Sequence, residues 1–209
     1  MTPIASQTHP GATMAASARA VSRSQRLLQA TRSAHDGLDH RIISAEPFRD
    51  RDQYARLLEM QYRFHRTIDG LYAMALPLPA ALDLPGRRRL EGVRQDLKDL
   101  GRSLPPDNRL LPFHATRIDP ATAIGWLWVA EGSTLGAASL LKRAAALGLD
   151  ETFGARHLAG HPDGRAKSWK RFTAAVDALD QDQVDDALTL NGARDAFLYV
   201  RKLADDSFA

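Results

Sequence analysis

Apolar residues recur along this chain at intervals of three and four, and alternating β-branched runs are scarce. That period belongs to helices that bury one face. A first helix is expected from Ser22 or Ser24 to about Ala45, with Leu27, Thr31, Ala34, Leu38 and Ile42 as its buried stripe. Pro47 ends it, because the residue before a proline avoids the α region. A second, from about Asp50 to Met74, turns Tyr54, Leu57, Leu58, Gln61, Phe64, His65, Ile68 and Leu71 or Tyr72 inward. Leu76 to Pro85 holds three prolines and reads as a connector or a short helix. A third helix covers about Gly86 to Leu100 and stops at Gly101, and Pro105-Pro106-Asp107-Asn108 is loop. Asp119-Pro120 opens a fourth, with Asp as N-cap and Pro at the first helical position, and Gly148 closes it just past Leu147. Phe153 to Ala166 is irregular around the turn Pro162-Asp163-Gly164, and two last helices fit Ser168 to Leu179 and Gln183 to Asp206. The pattern predicts an all-α, single-domain helical bundle over residues 21–209 with a ligand between helices, preceded by a flexible Ala-, Ser- and Thr-rich tail over 1–20.

The fourth helix carries an anomaly. Gly132 and Gly136 lie inside it, each disfavoured by about 1 kcal/mol against Ala. At a spacing of four they share one face, with Ser133 and Thr134 between them. Such a pair usually marks close helix packing. It equally leaves room for something flat to lie against bare backbone.

Composition narrows the choices. The 209 residues are 44% hydrophobic and 25% charged, enough for a sizeable core. There is no cysteine, which excludes disulfides, thiolate catalysis and Cys-ligated metal centres. The formal charge of +3 is a mild excess, and the longest basic run, Arg87-Arg88-Arg89, reads as a solvated helix face. No apolar run approaches the ~18 residues of a membrane span, and a cytoplasmic protein is expected. The common nucleotide-binding and serine-hydrolase signatures are missing.

Among seven histidines, His35 lies mid-way along the first helix, flanked by Asp36 and Asp39. It is either a boundary histidine at the edge of the core or an axial ligand to heme iron, a role a neutral imidazole on a rigid helix fills well. Gln61 and His65, one turn apart, are a polar pair at the core edge or the wall of a pocket that orders water. His157 and His161 have zinc-site spacing, but Pro162 and Gly164 argue against a helix through them. Trp126, Trp128 and Trp169 read as core fillers.

Taken in order, a set of segments resembles bacterial heme oxygenases of the iron-acquisition and phytochrome-associated type, from about Ser22 to Phe208. They are Ser24-Gln25-Arg26-Leu27 with Ala34-His35-Asp36, Gln95-Asp96-Leu97-Lys98-Asp99-Leu100-Gly101, Gly125-Trp126-Leu127, and Ala130-Glu131-Gly132-Ser133-Thr134-Leu135-Gly136-Ala137-Ala138. Phe153-Gly154-Ala155-Arg156-His157-Leu158, His161-Pro162-Asp163-Gly164-Arg165 and Gly192-Ala193-Arg194-Asp195-Ala196-Phe197 complete it. The resemblance implies that heme is both cofactor and substrate, sandwiched between a proximal and a kinked distal helix and cleaved at a meso carbon to biliverdin, CO and Fe²⁺. It implies O₂ and an external electron donor, a ferredoxin or flavin reductase, as partners, and a bacteriophytochrome or other biliverdin acceptor downstream.

By the same resemblance His35 is the proximal iron ligand, and Gly132 and Gly136 bring distal backbone to the heme. Gln61, His65, Arg89 and Trp169 order the distal water network, and Phe197 lies near the heme edge. Ser133 and Thr134 join the pocket. Two positions depart. Relatives often hold a Lys or Asn seven residues before the proximal His, where this chain has Leu28; a propionate-binding tyrosine aligns with Val200, with Tyr199 one step away. Lys142 and Arg143, and more weakly Arg32, are then the propionate candidates, and the biliverdin isomer stays open. The competing readings are a heme carrier or sensor that binds without degrading, and a basic helical nucleic-acid-binding protein.

Overall fold

The computed structural model describes residues 21–73, 78–106, 113, 118–180, 182 and 184–209. The expected tail over 1–20 and the loop residues Asp107-Asn108 lie outside them. Six α-helices carry the described residues: α1 (Arg23–Ser44), α2 (Arg51–Ala73), α3 (Leu90–Asp99), α4 (Pro120–Ala145), α5 (Arg165–Asp177) and α6 (Asp186–Ser207). Short 3₁₀ turns at Ala80–Leu82, Pro85–Arg87 and Arg156–Leu158 complete the order, and no β-strand occurs among the described residues.

Local chemistry sets the helix ends. Ser22 and Gln25 close a capping box on α1, the Ser22 Oγ accepting from the Gln25 N–H and the Ser22 N–H donating to Gln25 Oε1. Asp119 caps α4, accepting from the N–H groups of Ala121 and Thr122, with Pro120 at the first position. Gly101 and Gly148 follow α3 and α4 at φ +66° and +71°, which a side chain would strain. Arg23 is buried and ties the start of α1 to the far end of α5. Its guanidinium donates to the carbonyls of Val176, Leu179 and Val184 and pairs with Asp186.

α4 is the central element. Its first half is buried almost all round, from Ala121 to Glu131, whereas its second half is largely exposed. It packs most heavily on α6, and there two glycines bring the backbones into contact. A Cβ on Gly125 would lie 2.2 Å from the Thr189 carbonyl oxygen and 2.5 Å from the Ala193 nitrogen. A Cβ on Gly192 would lie 2.4 Å from the Thr122 carbonyl oxygen. Close helix packing therefore falls to Gly125 and Gly192, not to Gly132 and Gly136.

α1 leans on α6 and α5. Leu27, Thr31 and Leu38 are buried along it, but Ala34 is exposed, contrary to expectation. The middle turn of α1 sits where the bundle opens, so the stripe skips it. α3 also starts four residues later than its periodicity suggests, because Arg87 and Arg88 are needed in different directions.

Ala at Gly125 must push α4 and α6 apart. Gly125→Ala is expected to lose roughly 1–3 kcal/mol in urea unfolding, whereas Gly136→Ala, whose Cβ meets no atom within 4 Å, should lose nothing.

Candidate active site

The candidate residues lie on two open stretches, one of α1 and one of α4, and both helices rest on α6. On α1, the His35 side chain is 57% exposed. Its Nδ1 lies 3.6 Å from carboxylate oxygens of both Asp36 and Asp39, too far for hydrogen bonds. Its ring and that of Phe197 of α6 meet nearly at right angles, 6.3 Å apart between centroids. His35 is thus presented to the outside on a firm aromatic base, with Nε2 available. It is not a satisfied histidine at the edge of the core.

On α4, Gly136 faces open space and Gly132 faces only Trp169, whose ring would lie 3.7 Å from a Cβ. Ser133 and Thr134 turn their hydroxyls back into the helix, donating to the carbonyls of Ala130 and Glu131 at 2.7 Å each. Trp169 stacks between Trp128 and Phe172, at 4.8 and 5.7 Å between centroids, and so floors the glycine face from α5.

A further group of polar candidates lies on α2. His65 is buried, and Gln61 is half-buried one turn before it. Burial, reinforced by the charges of His157 and Arg89, pushes the His65 imidazole down to about 3, so it is neutral at physiological pH. Behind it, Asp96 is fully buried and accepts from the His157 Nδ1–H at 2.8 Å and from the N–H groups of Arg156 and His157 at 2.9 Å. That fixes the His157 ring and leaves its Nε2 buried without a protein partner. His161 lies apart from it, near the surface and 4.0 Å from carboxylates of Asp83 and Asp163.

The three consecutive arginines are not a solvated face. Arg88 alone turns outward, to Asp69. Arg89 is half-buried and donates to the carbonyls of His157 and Ala159. Arg87 is buried against Glu131 at 3.0 Å and also donates to Leu82 O and to Ser168. The Tyr72 hydroxyl donates to the other Glu131 oxygen at 2.9 Å. A buried carboxylate needs partners, and the 3₁₀ turn before α3 supplies one in Arg87. This group was missed in the sequence. Its signal was there: Glu131 is the one charged residue between Asp119 and Lys142.

Of the candidates farther out, Lys142 and Arg143 are exposed near the end of α4, and the Arg143 guanidinium lies over the Phe48 ring at 5.3 Å. Arg32 and Leu28 are exposed on α1. Tyr199 lies in the core, where its hydroxyl and that of Thr67 are 2.9 Å apart and its ring packs on Trp126. Phe197 and Trp169 join the glycine and His35 faces; Tyr199 does not.

One accessible imidazole, a bare helix face and a buried polar group suit a flat macrocycle with a metal at its centre. The open space at Gly136, which a side chain would fill, leaves room for such a ring, and His157 Nε2, without a partner among the described residues, marks a place for ordered water. The heme oxygenase family model matches residues 21–206. Heme oxygenase PigA of Pseudomonas aeruginosa is 42% identical over 190 residues, which span 90% of this chain and 93% of that protein. The NO- and CO-bound heme oxygenase from Neisseria meningitidis superposes with a TM-score of 0.79 at 36% identity, over 90% of this chain and 93% of that one. Heme oxygenase-1 of the cyanobacterium Synechocystis, in complex with heme, shares the fold at a TM-score of 0.71 and 17% identity, over 89% and 92% of the two chains. The chain belongs to the heme oxygenase family.

Two outcomes follow from the buried groups. Glu131→Leu strands the Arg87 charge and should lose roughly 3–5 kcal/mol of unfolding free energy. Arg87→Leu added to it should recover part of that, by a coupling of about 1 kcal/mol or more in a double-mutant cycle. His65 titrates lower when folded than when unfolded, so the unfolded chain binds the extra proton. Its contribution is therefore complete above pH ~6.5 and lost towards pH 3, by at most about 1.4 kcal/mol per unit. Urea melts between pH 7 and 4 should fall less steeply for His65→Gln than for the wild type.

Proposed function

We propose that this heme oxygenase binds heme between the open turn of α1 and the glycine face of α4, with His35 as the iron ligand. The observation that carries the reading is the pairing of an exposed, aromatic-backed imidazole with a helix face whose Gly136 meets nothing. Bound heme supplies both the iron that takes O₂ and the ring that is cleaved to biliverdin, CO and Fe²⁺.

The protein's own residues supply position, exclusion and a path for protons. Gly132 and Gly136 let backbone approach where any side chain would stand in the way of a bound gas. Trp169 closes that space from α5. Neutral His65, with Gln61 and the fixed His157, holds ordered water through which protons would enter from solvent, and Arg89 backs the wall with its charge. Lys142 and Arg143 take the propionates, and Ser133 lies more than two turns earlier on the open half of α4. Electrons come from an external reductase or ferredoxin in the cytoplasm, whose acidic surface suits the basic excess. None of the described helices is long and apolar enough to cross a membrane.

A heme carrier would share His35 and the cleft, so turnover decides. With ascorbate and O₂, the heme complex should lose its Soret band as a bilin band rises; a stable Soret band favours a carrier. His35→Ala should lose the imidazole signature of the ferrous–CO spectrum. Gly136→Phe should bind heme yet lose most of its biliverdin formation, and an unchanged rate would contradict steric exclusion at this face.

A further inference from the structure

On the other side of α4 from the glycine face lies a small cleft, of about 100 Å³ and partly open to solvent. Thr134, which lines it, is two residues from both Gly132 and Gly136, about 200° around the helix axis. The lining holds four arginines, Arg87, Arg88, Arg89 and Arg165, against one carboxylate, Glu131. Glu131 is committed to Arg87, and Arg88 is committed to Asp69 outside the cleft. Among the described residues, Arg89 and Arg165 hydrogen-bond to neutral carbonyls alone: His157 and Ala159 for Arg89, Thr134 and Leu158 for Arg165.

Two further features point the same way. Arg89 Nε is buried and has no hydrogen-bond partner. The cleft is also bordered by the first turn of α5, whose N-cap is Gly164 and whose leading N–H groups receive no capping side chain. An uncapped helix N-terminus carries partial positive charge and free donors. Burial and the nearby Arg89 charge pull the Arg165 guanidinium below its ordinary range, and the Glu151 carboxylate only partly offsets them.

From this lining we propose that the cleft is a binding site for a small dianionic oxyanion of the phosphate or phosphate-monoester class. Arg89 and Arg165 clamp it, and the start of α5 donates to it. A dianion complements two guanidiniums that form no ion pair among the described residues, and planar guanidinium donors suit its oxygens. The site is separate from the proposed heme cleft and shares with it only Arg89 and one turn of α4.

The test uses heme-free protein and reads no turnover, so it stands or falls apart from the assignment of the heme cleft. Inorganic phosphate, glycerol 3-phosphate and acetate are titrated calorimetrically, with chloride holding ionic strength constant. Saturable phosphate binding is expected. Arg165→Gln should weaken it about tenfold or more, Arg165→Lys should keep part of it, and Lys202→Gln, which removes an equal charge elsewhere, should leave it unchanged. Binding of the monoester as well as phosphate assigns the site to a phosphoryl head group, and binding of phosphate alone assigns it to the free ion. Acetate binding as tightly as phosphate, equal losses in Arg165→Gln and Lys202→Gln, or no saturable binding would overturn the proposal.

Discussion

The molecule depends on one helix crossing. At Gly125 and Gly192 the backbones of α4 and α6 approach too closely for a Cβ on either side. That contact fixes where α4 runs through the bundle. The Arg87–Glu131 pair, with Tyr72, then fixes its rotation, because Glu131 has partners in only one direction. Glu131 immediately precedes Gly132. Turning α4 by one residue, about 100°, would carry the bare glycine face away from the cleft. Buried ion pairs seldom add much net stability over apolar residues, but they can specify one arrangement among several. Here the arrangement specified is which face of α4 stays open.

The helix accordingly has two halves with opposite duties. Up to Glu131 it is core, held by apolar side chains and a backbone contact. Beyond it the helix offers backbone, with the Ser133 and Thr134 hydroxyls turned back onto their own carbonyls. α1 does the same on a smaller scale: Leu27, Thr31 and Leu38 anchor it, and the turn between them presents His35 over Phe197. The buried polar group is kept uncharged where it matters. His65 is neutral through burial, and the orientation of His157 is set by Asp96.

Most of the architecture was legible in the sequence, because helix ends here are written in local chemistry: Ser22 with Gln25, Asp119 with Pro120, and Gly101 and Gly148 beyond the ends. The misreadings share a cause. Ala34 and the arginine run were read from periodicity, but Ala34 lies where no helix covers α1, and Arg87 answers a carboxylate forty-four residues away in sequence. The roles of the glycines depend on what stands opposite, which spacing cannot report. Gly132 and Gly136 looked like the packing pair, while Gly125 and Gly192 are. His35 was identified by family resemblance, and its exposure on an aromatic base is what the fold adds.

The central claim is that the open turn of α1 and the open half of α4 are the two walls of one heme site. A crystal structure of the ferric heme complex tests it most directly, through the identity of the side chain bonded to iron and the helix facing the other side of the ring. The account predicts His35 Nε2 on one face and the Gly132–Gly136 backbone on the other. Iron bound by a different histidine, or a ring lying away from α4, would contradict it.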